Sequence, residues 1–283
     1  MRALITGGGG QLASDLQALL GDRARSFSHA ELDIGDATAV DRAFAEVSPD
    51  VVFNCAAFHN VDICETEPDQ AWAINVRAVR DLAGRGARLV HFSTNYVFDG
   101  TREEPYGEDD LPNPRSIYAL TKLAGEYAAL AYSDDALVVR GAGLYGEHGS
   151  ASKGGNFVTR MLARAREPEA SLKMVADQRL SPTFTADLAA AVVEAAESDA
   201  TGVVHLPAGG SCSWFEFTQT ILELAGLSHV PIEPVQTTIA PGSPDRPLNG
   251  VLARPRADDL GLIRLRPWED GLRDYMSRIN AIS

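Results

Sequence analysis

The sequence predicts an α/β fold: a doubly wound parallel sheet followed by a smaller mixed α/β unit. Three observations carry this. Short apolar runs alternate with helix-like stretches through the first half, a glycine run follows the first apolar run, and the alternation lapses near Gly141–Gly146. Strand–helix alternation requires helices on both faces of a parallel sheet.

The elements read as follows. "RALIT" (Arg2–Thr6) is strand-like and leads through a glycine loop into the helix "QLASDLQALL" (Gln11–Leu20). "ARSFSHAELD" (Ala24–Asp33) is the second strand, with its tip at Ser28–His29. "DVVFNCAA" (Asp50–Ala57) and "RLVHFST" (Arg88–Thr94) are buried-strand candidates. Between them "PDQAWAINVRAVRDLA" (Pro68–Ala83) has helical spacing with Pro68 in its first turn. "SIYALTKLAGEYA" (Ser116–Ala128) continues the pattern as a helix, and "DALVVRGAGLYG" (Asp135–Gly146) supplies another strand. Further on, Asn156–Glu167 and Thr185–Ser198 read as helices. Ser213–Gly226 reads as a capped helix, with Ser213 as N-cap and Glu216 completing a capping box. Prolines crowd residues 231–255, which reads as a long loop of the kind that carries function. The expected division is 1–143 for dinucleotide binding and 144–283 for substrate, with residues of about 175–205 returning to the first unit.

The 283 residues, 45% of them hydrophobic, suffice to bury a full core. The net charge of −14 argues against a general nucleic-acid or anionic-membrane binder. It leaves room for a phosphorylated small ligand, which one helix terminus or one arginine can hold. Three scattered cysteines, without a CxxC, fit a reducing cytoplasm rather than a disulfide framework. The N-terminal residues run directly into a strand, leaving no room for a signal peptide. No HExxH or acidic cluster with ligand spacing suggests a metal. Cys55 and His91 read as core residues, and Trp72, Trp214 and Trp268 as helix-packing residues.

In "LITGGGGQLA", Gly7 and Gly10 let the backbone turn tightly and approach a pyrophosphate, which faces the amides at a helix N-terminus. Ala13 fills the last small position. This is the placement of a Rossmann-like dinucleotide site. The tip of the second strand, with Ser28, has no acid and has Arg25 close by, which favours NADPH. Glu31 or Asp33 acting as a ribose acid is the alternative, which would leave NADH.

Tyr118 and Lys122, four apart, share one helix face. A phenol with a pKa of about 10 is a poor proton donor near neutrality, and a neighbouring ammonium lowers that value. Ketone reduction needs such a donor within hydrogen-bond reach of the oxygen. In "HFSTNYVF" (His91–Phe98), either Ser93 or Thr94 could bind that carbonyl at a strand end.

With these pieces in place the chain resembles the extended short-chain dehydrogenase/reductase family, and within it the dTDP-4-dehydrorhamnose reductases. "GGGGQLASDLQ", "ELDIGD", "PDVVFNCAAFHNVDICETEP", "FSTNYVFDG", "YALTKLAGE", "GNFVTRML", "DQRLSPT" and "PDRPLNGVL" fall in that order. The resemblance implies Tyr118 as proton donor, Lys122 as its tuner and nicotinamide-ribose contact, and Thr94 on the substrate oxygen. It implies cofactor contacts from Gly7, Gly10, Gln11, Leu12, Asp33, Ile34, Ala56, Ala57, Phe58 and Phe92, joined by Ser28. Asn95 and Tyr96 would face the sugar, and Arg246 the nucleotide diphosphate. Gly143 and Asn156 complete the expected substrate set. The activity implied is reduction of dTDP-4-dehydro-L-rhamnose to dTDP-L-rhamnose by NADPH, and a homodimer is the assembly it suggests.

Some positions depart from the family pattern. Asn95 stands for an aspartate, Gly143 for a tryptophan and Leu180 for a glycine, all in the expected substrate pocket. The alternatives are therefore a ketoreductase for another nucleotide deoxysugar, or a non-catalytic subunit with the same fold. A dehydratase lacks support, because Asn95 and Tyr96 supply no carboxyl where one is needed to eliminate water.

Overall fold

A computed structural model describes residues 1–148, 155–238 and 242–282 of the chain. Its centre is a parallel sheet. The strands are β1 (Ala3–Gly8), β2 (Ala24–Ser28), β3 (Val51–Asn54), β4 (Arg88–Thr94), β5 (Leu137–Gly141) and β6 (Gly202–His205). Among the described residues the order is β6-β5-β4-β3-β1-β2. The chain leaves β1 in one direction for β2 and in the other for β3, so a crevice opens at the carboxyl ends of β1 and β3. Ligands of open α/β sheets bind at such a reversal.

The strands bury both faces, and side chains alternate between them. Ile5, Phe53, Val90 and Val139 face α1 (Gln11–Leu20) and the helix Thr185–Glu197, with Leu16 and Val192 packed on them. Leu4, Val52, Leu89 and Val138 face the opposite way, against Val40, Val79, Leu82 and Ala129. Each such side chain, fully buried, stabilises by about 1.5–3 kcal/mol relative to exposure.

Helix ends follow local chemistry. Asp36 accepts from Thr38 N at 2.9 Å to start α2 (Ala37–Val47), a helix the sequence reading passed over. The Pro68–Ala83 helix forms as expected but contains a π-helical turn at Ala73–Arg77. Ser116 Oγ accepts from Ala119 N at 3.2 Å and starts α3 (Ile117–Tyr132), which carries Tyr118 and Lys122. The capping box at Ser213 forms: Glu216 N donates to Ser213 Oγ at 3.1 Å, and Ser213 N donates to Glu216 Oε2 at 2.7 Å.

Three spans differ from expectation. The second strand stops at Ser28, because Glu31 N and Leu32 N both fold back to the Ser28 carbonyl. The run from Asp135 breaks after Gly141 and resumes only at Leu144–Tyr145. The proline-rich stretch contains a strand, Ile232–Val235, parallel to Leu172–Val175, and its last residue opens a short helix, Pro255–Asp259; residues 239–241 of that stretch lie outside the described residues.

The smaller unit has its own aromatic core of Tyr145, Phe184, Phe217, Trp268 and Tyr275. Later segments return to the sheet. The helix Thr185–Glu197 and β6 complete it, and Arg256 pins the Pro255–Asp259 helix to the Val203 and Thr201 carbonyls at 2.8 and 2.7 Å.

Candidate active site

The crevice widens into a cleft of about 1090 Å³ that runs from the glycine loop to the smaller unit. At its floor Gly7 has φ +71°, and a Cβ there would stand 2.8 Å from Ala56 N. Only glycine lets these two loops touch. Gly10 N donates to Gly7 O at 3.0 Å, and Gly10 opens α1 with no side-chain cap, so the first-turn amides are not satisfied by a side chain. That cradle suits a pyrophosphate. Gln11 reaches across to accept from Gly146 N at 2.7 Å, and Leu12 packs beneath, only 7% exposed. On the β3 side, Ala56 and Ala57 lead to Phe58, whose N–H and carbonyl are both held by Asn75 at 2.9 and 3.0 Å. Asp33 accepts from Gly35 N at 2.8 Å, and Ile34 is buried.

The β2 tip presents a different picture from the one expected. Ser28 N and Oγ donate to Glu31 Oε2 at 2.8 and 2.7 Å, and Arg25 Nη2 donates to Glu31 Oε1 at 3.0 Å. These bonds, those from Ser28 first, hold the Glu31 carboxyl down to about 2. An acid therefore does stand at the tip, three residues beyond Ser28, bound to the groups that a 2′-phosphate would seek.

Beyond the glycine loop the carboxyl end of β4 meets α3. Tyr118 hydrogen-bonds Thr94. Thr94 Oγ1 also lies 3.3 Å from Asn95 Oδ1 and accepts from Tyr96 N at 3.2 Å. The Tyr96 ring meets Tyr118 edge-on, with centroids 5.9 Å apart. Ser93, the other hydroxyl considered, turns away to donate to Glu126. Lys122 donates to Phe92 O at 2.6 Å and lies 3.3 Å from His91 Nε2. Burial lowers the lysine to about 8. The phenol is not lowered as the sequence reading expected. Burial pushes Tyr118 above its ordinary value, and the Thr94 hydrogen bond opposes that shift. The Lys122 ammonium is turned towards β4, so in this structure the hydroxyl, not the amine, is the group acting on the phenol.

At the substrate end, Asn95 Nδ2 donates to Gly250 O at 3.1 Å. Arg246 lies at the mouth, ion-paired with Asp62 at 3.2 Å, with its side chain 42% exposed and its charge felt by Tyr96. Asn156 lines the cleft, yet its side chain is committed. It caps the helix Phe157–Ala165 through Thr159 N at 3.0 Å and donates to Gly146 O and Tyr275 Oη at 2.8 and 2.7 Å. A Cβ at Gly143 would stand 2.7 Å from Leu180 Cδ1. The space opposite Gly143 is therefore filled by Leu180, an aliphatic wall supplied from another segment.

Sequence reasoning missed several lining residues. Trp214, expected only to pack helices, follows the Ser213 cap and lines the cleft, its ring 4.4 Å from Phe157. Its position at the first turn of a capped helix was the available signal. Trp72 is 37% exposed, whereas Trp268 is buried as expected. Gln178 and Thr237, bonded to each other at 3.0 Å, come together only through the Leu172–Val175 and Ile232–Val235 pairing and carried no signal.

Residues 1–281 match the family model described as the RmlD substrate binding domain. The chain belongs to that family. Similar proteins include the spore coat polysaccharide biosynthesis protein SpsK of Bacillus subtilis, 38% identical over 97% of this chain and 96% of its own. The dTDP-4-dehydrorhamnose reductase of Mycolicibacterium smegmatis is 36% identical over 98% of this chain and 86% of its own. Among solved structures, the dTDP-4-dehydrorhamnose reductase of Bacillus anthracis, in complex with NADP, superposes with a TM-score of 0.91 at 34% identity, covering 98% of this chain and 99% of that one. The UDP-glucose 4-epimerase of Thermus thermophilus, at 20% identity and a TM-score of 0.82, shares the fold. As an RmlD-family member the chain is an NAD(P)-dependent oxidoreductase of the extended short-chain type. Among its described residues no helix is long and apolar enough to cross a membrane.

Proposed function

We propose that this chain reduces the 4-keto group of a dTDP-6-deoxy-sugar, converting dTDP-4-dehydro-L-rhamnose to dTDP-L-rhamnose, with NADPH as reductant. The observation that carries the reading is the Thr94–Tyr118 hydroxyl pair, set with Lys122 at the carboxyl end of β4, in a cleft whose other end is the glycine cradle. Gly7, Gly10 and the first turn of α1 hold the pyrophosphate. NADPH, when bound, supplies the hydride that attacks the ketone carbon. Thr94 orients the carbonyl, and Tyr118 gives its proton to the developing alkoxide. Lys122, on the same face of the helix as Tyr118, supplies the positive charge that favours the resulting phenolate. Tyr96 and Asn95 shape the sugar pocket, and Arg246, whose fork suits phosphate oxygens, exchanges Asp62 for the nucleotide diphosphate.

The test is Tyr118→Phe, followed by NADPH oxidation with dTDP-4-dehydro-L-rhamnose. Turnover is expected to fall by at least about a hundredfold, the lower range for a lost general acid, while NADPH binding measured by fluorescence stays within about twofold. Undiminished turnover in the mutant would overturn the assignment.

A second reading is favoured by one observation. Leu180 replaces the aromatic wall that the family pattern places at position 143. A pocket bounded by an aliphatic side chain there suits a related dTDP-deoxysugar ketone, reduced by the same hydroxyl and amine groups.

A further inference from the structure

One feature of the sheet is out of character with its surroundings. Parallel strands covered on both faces are filled by Val, Ile, Leu and Phe. Yet Thr6, Asn54 and His91 stand side by side across β1, β3 and β4, register partners in sequence Thr6↔Asn54 and Asn54↔His91. They are 0%, 1% and 0% exposed, and Lys122, which completes the row, is 3% exposed. Buried polar groups are costly unless each is satisfied, and here each is. Ala56 N donates to Thr6 Oγ1 at 3.2 Å, and Thr6 Oγ1 lies 2.7 Å from Asn54 Oδ1. The Asn54 amide lies 3.2 Å from His91 Nδ1, and His91 Nε2 lies 3.3 Å from Lys122 Nζ. Gly125 on α3 lies beside the imidazole, where a Cβ would meet His91 Nε2 at an ordinary contact distance of 3.4 Å.

Hydrogen counting shows that the row from Asn54 to Lys122 has two arrangements of opposite polarity. In one, the Thr6 hydroxyl donates to the Asn54 carbonyl oxygen, the Asn54 amide donates to His91 Nδ1, and His91 Nε2–H donates to Lys122. That last bond needs a lone pair on nitrogen, so it requires a neutral amine. In the other, Lys122 as an ammonium donates to His91 Nε2, Nδ1–H donates to the Asn54 oxygen with the amide turned over, and the amide N–H donates to Thr6. The Thr6 hydroxyl has two acceptor sites and accommodates this N–H beside that of Ala56. Amide orientation and imidazole tautomer are set by the network they join. Lys122 keeps its bond to the Phe92 carbonyl in both.

We propose that Thr6, Asn54 and His91 form a reversible hydrogen-bond row that satisfies Lys122 in both its charged and its neutral form, with His91 as the positioning residue whose tautomer follows the lysine. The net change between the forms is one proton, lost from Lys122 to solvent. The imidazole hydrogen moves from Nδ1 to Nε2, and His91, Asn54 and Thr6 hold the same number of hydrogens before and after. The row thus holds the amine in one place through a change of charge that would otherwise leave a buried donor or acceptor unpaired. The other titratable groups acting on Lys122 are Glu126, one turn further along α3, and Cys55, after β3. Glu126 is occupied by Arg140 at 2.6 Å, and burial pushes the Cys55 thiol up, so it stays neutral. Lys122 is the charge that acts on His91. The proposal rests on reading Lys122 as the amine beside the reacting centre, but its test is read from the imidazole rather than from turnover.

The full chain, labelled with ¹⁵N-histidine, is titrated from pH 6 to 10 by NMR, with the His91 resonances assigned by their loss in His91→Gln. His91 is expected to carry its hydrogen on Nδ1 at low pH and on Nε2 at high pH, with a midpoint near that of the lysine, about 8. In Lys122→Met the change is expected to vanish. In Tyr118→Phe, which keeps the row, it should persist even though turnover is lost. A tautomer that stays fixed across the range in the unmodified chain would overturn the proposal, as would a switch that survives in Lys122→Met.

Discussion

Leu180 shows how much one side chain can redirect. It is 5% exposed and stands against Gly143, so the wall on that side of the cleft comes from the Arg179–Leu180 strand rather than from the segment after β5. Leu180→Ala removes the wall without moving the hydroxyl pair. Loss of apolar contact made equally in ground and transition states raises KM and leaves kcat alone. KM for the preferred keto-sugar is expected to rise about tenfold, within the range for a few lost methylenes, with kcat within about twofold. Assay of Leu180→Ala against a panel of dTDP-keto-sugars measures this and ranks the two substrate readings; an unchanged KM across the panel would show that Leu180 does not face the sugar. The identity of position 180 was legible in the chain, and so was the absence of an aromatic at 143. That the two positions touch was not, because they lie on separate segments.

Among the elements, α3 carries the most chemistry for its length. Tyr118, Lys122 and Glu126 recur at four-residue spacing and share a face. Gly125 lies between them, where a Cβ would collide with the Asn75 carbonyl oxygen in the π-helical turn. This contact lets Asn75 reach Thr121 at 3.0 Å and hold both polar groups of Phe58. In an open helix, Gly→Ala would stabilise by about 1 kcal/mol. Here the sign reverses: Gly125→Ala is expected to destabilise by about 1–3 kcal/mol, as overpacking does, read as a lower urea midpoint at unchanged slope. A raised midpoint would mean that the two helices separate freely. The helix and its capping serine were readable from spacing and residue type. The π turn opposite it was not, because nothing local in "AINVR" distinguishes it from α-helix.

At the scale of the whole molecule, one buried ion pair and the histidine beside it tie α3, β5 and β6 together. Arg140 on β5 makes a two-pronged contact with Glu126 at 2.9 and 2.6 Å, both side chains at most 4% exposed. Arg140 Nη1 also lies 3.3 Å from His205 Nε2 on β6, while His205 Nδ1–H donates to Ala253 O at 2.7 Å. Burial, then the arginine charge, holds His205 down to about 3, so it accepts from Arg140 as a neutral ring. Glu126→Gln leaves the guanidinium buried without its counter-charge, and removal of one partner from such a pair costs about 3–5 kcal/mol. Guanidinium denaturation is expected to show a loss of that size, and Glu126→Gln combined with Arg140→Met to recover much of it. A loss under about 1 kcal/mol would mean that water reaches the arginine.

The chain's own residues were enough to establish most of the strand–helix alternation of the first half, the glycine loop and the helix that carries Tyr118 and Lys122. Each of these depends on backbone geometry and on side chains within a few positions of one another. The tertiary structure alone decided which hydroxyl meets the phenol and where the lysine points. It also decided that Glu31 folds back on Ser28 and that Leu180 fills the space beside Gly143. These outcomes turn on distances between segments brought together by sheet order, and on the burial that shifts a phenol one way and an amine the other. Neither quantity is encoded in the spacing of residues along the chain.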